Sequence, residues 1–177
     1  MKKYLVMLLL ASLSFGLTAR EDENKRAISH AQNALLTIKV TGTRGGHSGD
    51  DIGRTGSALT ILVDLLFPID NLRLVSLSTN NTRGNVIPSD CEATVLVPKT
   101  KVNDLKHAAA QMEADVASNP FYVDVSGHGP APVISVTEST INTTAISLSS
   151  PTSRRVLNLI GRLPTGAQVI DNLGVKF

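Results

Sequence analysis

The sequence predicts an α+β fold: an antiparallel sheet with two helices on one face, in the order strand-helix-strand-strand-helix-strand, followed by an incomplete second αβ half. Three observations carry this expectation. Several short segments alternate apolar and polar residues, the period of a half-buried strand. Between them, 58–66 and 101–118 repeat apolar residues every three or four positions, which lines them along one side of a helix. A hydrophobic fraction of 42% beside 18% charged residues suits a packed globule, and with 3% aromatic residues its core must be filled by small and aliphatic side chains.

The folded part begins near Ala34. Leu36, Thr37, Ile38, Lys39 and Val40 alternate as a strand that exits at Thr41-Gly42. The glycine-rich turn Gly45-Gly46-His47-Ser48-Gly49 follows at once. Asp50 or Asp51 can cap the next helix, whose apolar positions Ala58, Leu59, Leu62, Val63 and Leu66 run on until Phe67-Pro68 stops it. Segments 72–78 and 91–97 read as neighbouring antiparallel strands separated by the polar stretch 79–84. Pro88 keeps the segment between them out of a regular ladder.

In 101–118, Val102, Leu105, Ala109, Met112 and Val116 make one face and Lys101, Lys106, Glu113 and Asp115 are available for the wet one; Asn119-Pro120 ends the helix. The segment 121–125 alternates as the closing strand. After Gly127-His128-Gly129-Pro130 the pattern weakens to β-prone stretches at 133–136 and 143–148. A last helix starts at Ser150-Pro151, a capping residue before a proline at the first helical position, with Val156, Leu157, Ile160 and Leu163 as its stripe. A short strand-like tail, 168–177, remains.

At the other end, Lys2 and Lys3 precede an apolar run over 4–17, then Thr18-Ala19 and the charged Arg20-Glu21-Asp22-Glu23. This is the layout of a secretory signal peptide, and the run is shorter than the ~20 residues that span a bilayer comfortably. Residues 1–19 are therefore expected to act as a signal peptide and 20–34 as a linker or remnant. The chain is expected to be secreted or periplasmic, or membrane-anchored if the segment stays uncleaved.

The 17 Lys and Arg against 15 Asp and Glu give a net charge of +2 without any dense basic run, so nothing supports a nucleic-acid partner. Cys91, the single cysteine, rules out an intramolecular disulfide or a thiolate zinc cluster and reads as a small apolar residue in a strand.

Two segments could carry chemistry. In Gly45-Gly46-His47-Ser48-Gly49 three glycines around one imidazole let the backbone bring it close to a ligand, although an exposed loop histidine of no consequence fits the same pattern. The loop has neither the spacing nor the ending of a phosphate-cradling Walker loop. In Arg83-Gly84-Asn85-Val86-Ile87-Pro88, Asn85 offers both donor and acceptor groups, and the segment can equally be a plain turn.

Together these segments carry a resemblance. Thr37-Ile38-Lys39-Val40 running into Arg44-Gly45-Gly46-His47-Ser48-Gly49-Asp50-Asp51-Ile52, then Gly84-Asn85-Val86-Ile87-Pro88 and Glu92-Ala93, resembles the lid domain of aminoacyl-histidine dipeptidases, members of the zinc aminoacylase and carboxypeptidase superfamily. Ser153-Arg154-Arg155-Val156-Leu157-Asn158-Leu159-Ile160-Gly161-Arg162-Leu163-Pro164-Thr165-Gly166 and Asn172-Leu173-Gly174-Val175 look like the same family's continuing sequence. On this resemblance 35–130 is the first half of the lid and 131–177 a partial second half.

The resemblance implies a lid that closes over substrate held by a separate zinc-binding domain. His47 would donate a hydrogen bond to the scissile carbonyl oxygen as it becomes an oxyanion, an effect worth up to ~4 kcal/mol from a preorganised donor. Asn85 would orient the substrate, and Gly45, Gly46 and Gly49 would shape the loop. The family's metal ligands include a His-x-Asp pair and a Glu-Glu pair, and the chain has neither. His30 is followed by Ala31-Gln32, His107 by Ala108-Ala109 and His128 by Gly129-Pro130, while His47 meets Asp50 only three residues on.

Zinc is thus implied for the parent family and not expected for this chain alone. The expected partners are a dipeptide substrate and either a missing catalytic domain or a second copy. The expected function is an incomplete metallo-dipeptidase, inactive in isolation. The alternatives are a secreted binding or dimerisation module without catalytic activity and a nonfunctional gene remnant.

Overall fold

The computed structural model describes residues 25–27, 32–47, 49–51, 54–80, 86–123, 129–140 and 146–162. The signal-like segment and the tail 168–177 lie outside the described residues. The strands are β1 (Lys25–Ala27), β2 (Asn33–Thr41), β3 (Gly46–His47), β4 (Arg73–Thr79), β5 (Val86–Ile87), β6 (Cys91–Pro98), β7 (Val133–Ser139) and β8 (Ile146–Leu148). The helices are α1 (Ala58–Leu66), α2 (Val102–Ala117) and α3 (Ser150–Arg162), and a 3₁₀ turn, Lys99–Lys101, leads into α2.

Four strands form one antiparallel sheet in the order β4-β6-β2-β7. The period-2 pattern of β2 has a direct physical result. Leu36, Ile38 and Val40 point to one face with Ala93, Val95 and Val97 of β6, and all six are buried. Against that face lie Ala58, Ile61, Leu62, Leu65 and Leu66 of α1, Leu105, Ala109 and Val116 of α2, and Leu157 of α3. The core is thus almost wholly aliphatic, as the composition requires. On the opposite face a small cluster joins Leu35, Leu96 and Val75.

The expected strand-helix-strand-strand-helix-strand order holds in the sheet, with one correction. The segment 121–125 is not the closing strand: Phe121, Tyr122 and Val123 lie in a turn, and 124–125 fall outside the described residues. The cause is local. Asn119 accepts from Phe121 N–H through its side-chain Oδ1 at 2.9 Å, and its carbonyl accepts from the N–H groups of Tyr122 at 2.9 Å and Val123 at 3.2 Å. An Asn side chain that satisfies nearby main-chain donors stabilises a turn in competition with a ladder. The sheet instead closes with β7, whose Val133 is 48% exposed and whose alternation is correspondingly weak. β7 therefore belongs to the same sheet as β2, β4 and β6.

Two caps also differ from expectation. α1 begins at Ala58 and is capped by Ser57, whose side chain accepts from Leu59 N–H, instead of by Asp50 or Asp51. At α3 it is Ser149, ahead of Ser150 and Pro151, whose Oγ accepts from Thr152 N–H at 3.3 Å. Lys25–Ala27, inside the stretch read as a linker, pairs antiparallel with β8.

α3 is fastened to the sheet edge through Ser153, which is fully buried: its Oγ accepts from Leu74 N–H at 2.8 Å and donates to Ser149 carbonyl at 2.9 Å. Leu74 lies where the β4–β6 register shifts, so the hydroxyl meets a donor at the ladder's irregularity. A Cβ on Gly161 would lie 3.3 Å from Val63 Cγ1, a measure of how closely α3 approaches α1.

Candidate functional site

His47 lies between β2 and α1, at the end of β3. The first root of its loop is held by the connection into β6. Asp90 Oδ1 accepts from Gly42 N–H at 3.0 Å, and Ser89 carbonyl accepts from Thr43 N–H at 3.2 Å and Thr43 Oγ1 at 3.0 Å. Asp90 is itself fixed by Asn80, whose Nδ2 donates to Asp90 Oδ2 at 2.6 Å, and by Ser89 Oγ, which donates to the same oxygen at 2.8 Å.

The glycines answer to this geometry. Gly45 has φ +55°, and a Cβ there would lie 2.9 Å from the Ile87 carbonyl oxygen; at Gly46, φ +153°, it would lie 2.6 Å from Asp51 Oδ2. Both positions combine a left-handed backbone with a neighbour that leaves no room for a side chain. Gly46 and His47 pair with Ile87 and Val86 in the short β3–β5 ladder. Asn85, the other residue expected at the site, lies outside the described residues.

The His47 side chain is 53% exposed. Its Nδ1 accepts from Gly49 N–H at 3.1 Å, so the neutral ring carries its proton on Nε2 and offers that atom as its donor. Asp50 Oδ2 lies 3.8 Å from Nδ1. The His47 main chain is pinned as well: its N–H donates to Asp51 Oδ2 at 2.8 Å, and its carbonyl accepts from Asp50 N–H at 3.1 Å and Asp51 N–H at 2.8 Å. Gly49 thus contributes a main-chain donor that sets the tautomer.

A pocket of about 300 Å³ opens beside the loop, lined by Gly42, Thr43, Arg44, Gly45, Gly46, Asp51, Gly129 and Pro130. Of the residues expected at the site, Gly45 and Gly46 line it. Asp51 and Asp90 were not expected as site residues; an Asp four positions after a loop histidine is the sequence signal for the first, and none marks the second. Near the loop's far end the Thr55 hydroxyl is buried without a hydrogen-bond partner.

Among the described residues no group of three or more His, Cys, Asp or Glu side chains comes together to hold a metal ion. The zinc implied for the parent family therefore finds no fitting donor set there. Cys91 is buried, and that burial pushes its thiol from 9.0 up to about 12, opposed by a backbone hydrogen bond from Val40 and aided to a lesser degree by the neighbouring Asp90 charge. Burial also raises Tyr122, with the Asp64 charge adding to it, and burial raises Asp64. No helix among the described residues is long and apolar enough to cross a membrane.

No protein-family model matches this sequence, and no curated protein matches it. Solved structures do match. An aminoacylhistidine dipeptidase from Vibrio alginolyticus superposes with a TM-score of 0.62 at 20% identity, over 78% of this chain and 28% of that one. An aminobenzoyl-glutamate utilization protein from Klebsiella pneumoniae gives 0.43 at 14% identity over 77% and 35% of the two chains. An amidase of the hydantoinase/carbamoylase family from Burkholderia multivorans gives 0.43 at 13% identity over 82% and 36%. The first establishes a shared fold, and the other two are too loose to argue from. This chain spans less than a third of the dipeptidase's length.

Proposed function

We propose that this fold is the substrate-covering lid of an aminoacyl-histidine dipeptidase-like metallopeptidase, with His47 as the donor that stabilises the oxyanion of the scissile peptide. The observation that carries the reading is the Gly49 N–H to His47 Nδ1 bond, because it fixes the neutral tautomer with its donor on Nε2. A donor held before substrate arrives costs no reorganisation as charge develops on the carbonyl oxygen. The fold shared with the dipeptidase structure supports the same reading.

The zinc chemistry would belong to a catalytic domain, and the lid's own work is to bind, to donate from Nε2 and to exclude water on closure. Asn85 is proposed to orient the substrate, and Gly45, Gly46 and Gly49 to shape the loop. The N-terminal segment is proposed to direct export.

Two measurements test this. The purified chain, with and without added zinc, should hold no stoichiometric metal and leave Xaa-His dipeptides intact; two tightly bound zinc ions with dipeptide hydrolysis would overturn it. In a chimera with residues 33–162 replacing the lid of an active dipeptidase, His47→Ala should lower kcat about 10²–10³-fold, the range for loss of one oxyanion donor. An unchanged kcat would remove His47 from the reaction.

One observation favours a second reading, a module that associates through the sheet edge. β7 pairs only with β2 among the described strands, and Val133 at its start is 48% exposed. Molar mass by light scattering separates a dimer from a monomer.

A further inference from the structure

The first root of the His47 loop is held by Ser89 and Asp90, next to it across a strand connection. The turn at 121–122, far away in sequence, holds that root at Arg44 and the loop's second root at Gly56. Arg44 N–H donates to the Tyr122 carbonyl at 2.7 Å, and Gly56 N–H donates to the Phe121 carbonyl at 2.7 Å. Two consecutive carbonyls of one turn therefore receive one amide from each end of the segment bearing His47.

The Tyr122 ring lies over Gly56 so closely that any Cβ at position 56 would overlap ring atoms Cε1 and Cδ1, and it would also lie 2.9 Å from Phe121 Cδ1. Phe121 braces the Tyr122 ring edge-on, with ring centroids 5.4 Å apart and an interplanar angle of 89°. The turn is in turn built on Asn119, two residues beyond α2.

We propose that Tyr122 is a positioning residue for His47: its ring, seated in the slot that Gly56 leaves, locks the loop's second root and thereby sets the orientation of the imidazole. The route is a set of hydrogen bonds joined, between Gly56 and Arg54, by the chain through Thr55. Gly56 is tied to Phe121; Arg54 N–H donates to the Asp51 carbonyl at 2.9 Å; Asp51 exchanges bonds with the His47 main chain; and Gly49 N–H closes on Nδ1. Releasing Gly56 frees the end of that route, and the imidazole at its other end loses its fixed partner. This inference rests on the reading of His47 as the working residue of the loop.

The test uses the full chain labelled with ¹⁵N, read by imidazole nitrogen shifts and by amide hydrogen exchange. In the unsubstituted protein His47 should show one protonated nitrogen, Nε2, and one unprotonated, Nδ1. In Tyr122→Ala the two signals should move toward the tautomer average, and amides of 44–51 should exchange about tenfold faster or more, with those of β2 and β6 unchanged. Tyr122→Phe keeps the ring and should behave as the unsubstituted protein, and Gly56→Ala should reproduce Tyr122→Ala.

If Tyr122→Ala leaves the His47 nitrogens and the loop exchange as they were, the lock does not exist. Tyr122→Phe as disruptive as Tyr122→Ala overturns the ring-in-slot account, and equal loss of protection in β2 and β6 makes Tyr122 a residue of general stability only. Should Gly56→Ala not fold, the Tyr122 pair decides alone. None of these readouts depends on catalysis, so an active His47→Ala chimera would sink the proposed function and leave the lock standing.

Discussion

His47 and Asp51 hold each other twice: the His47 main-chain N–H donates to Asp51 Oδ2 at 2.8 Å, and the Asp51 N–H donates back to the His47 carbonyl at 2.8 Å. The pair closes a small ring between the His47 main chain and Asp51, at the base of the imidazole. Removing the carboxylate leaves half of the ring.

Asp51→Ala should therefore loosen the loop at His47. A net hydrogen bond to a charged acceptor is worth roughly 1.5–3 kcal/mol, reduced here by exposure, so exchange of the His47 and Gly49 amides should rise about fivefold to tenfold. Asp51→Asn keeps an acceptor oxygen and should change exchange little. Equal effects from both variants would show that charge, and not the bond, matters.

Asp90 joins the root of the loop to the end of β4, with Gly42 N–H on one oxygen and Asn80 Nδ2 and Ser89 Oγ on the other. Asp90→Ala strands those donors and should cost about 1–3 kcal/mol in urea unfolding. The exchange Asn80→Asp with Asp90→Asn reverses the polarity of the side-chain pair and should recover part of that loss. No recovery would mean that the pair's geometry cannot be inverted.

At the β4 edge of the sheet, Ser153→Ala would leave the buried Leu74 N–H without its acceptor. The expected loss is about 1–3 kcal/mol, seen as a lower urea midpoint at unchanged slope. Leu159, 63% exposed on the same helix, is the control, and Leu159→Ala should shift stability by no more than about 0.5 kcal/mol.

Cys91 gives a pH dependence whose sign follows from its environment. Its thiol stands at about 12 in the folded chain against 9.0 ordinarily, so the unfolded chain loses the proton first. Stability from this group is complete below pH 9.0 and drains away as the pH rises toward about 12. Tyr122, also raised, adds a loss in the same direction above its ordinary 10.0. Urea midpoints at pH 8 and pH 10 should fall in that order, and Cys91→Ala should flatten the difference. Iodoacetamide should label Cys91 at the rate of unfolding, since the thiol is buried.

Much of this fold is legible in the order of residues alone. The α1 and α2 stripes, the alternation of β2 and the aliphatic core follow from side chains that must leave water on one face, and that demand is written locally every two or every three to four residues. The Gly45-Gly46-His47 loop was equally readable, because glycine at a left-handed position is a local requirement. The turn at 121–123, the β7 partner that replaces it, the Ser57 cap and the grip of Asp90 and Tyr122 on the loop were not. The turn and the Ser57 cap are local, but Asn and Ser side chains suit several neighbouring turns and caps, so residue type alone leaves the choice open. The β7 pairing and the grip of Asp90 and Tyr122 depend on which groups meet across long stretches of chain; every residue but proline carries the same main-chain N–H and C=O pair, so only the packed tertiary structure decides them.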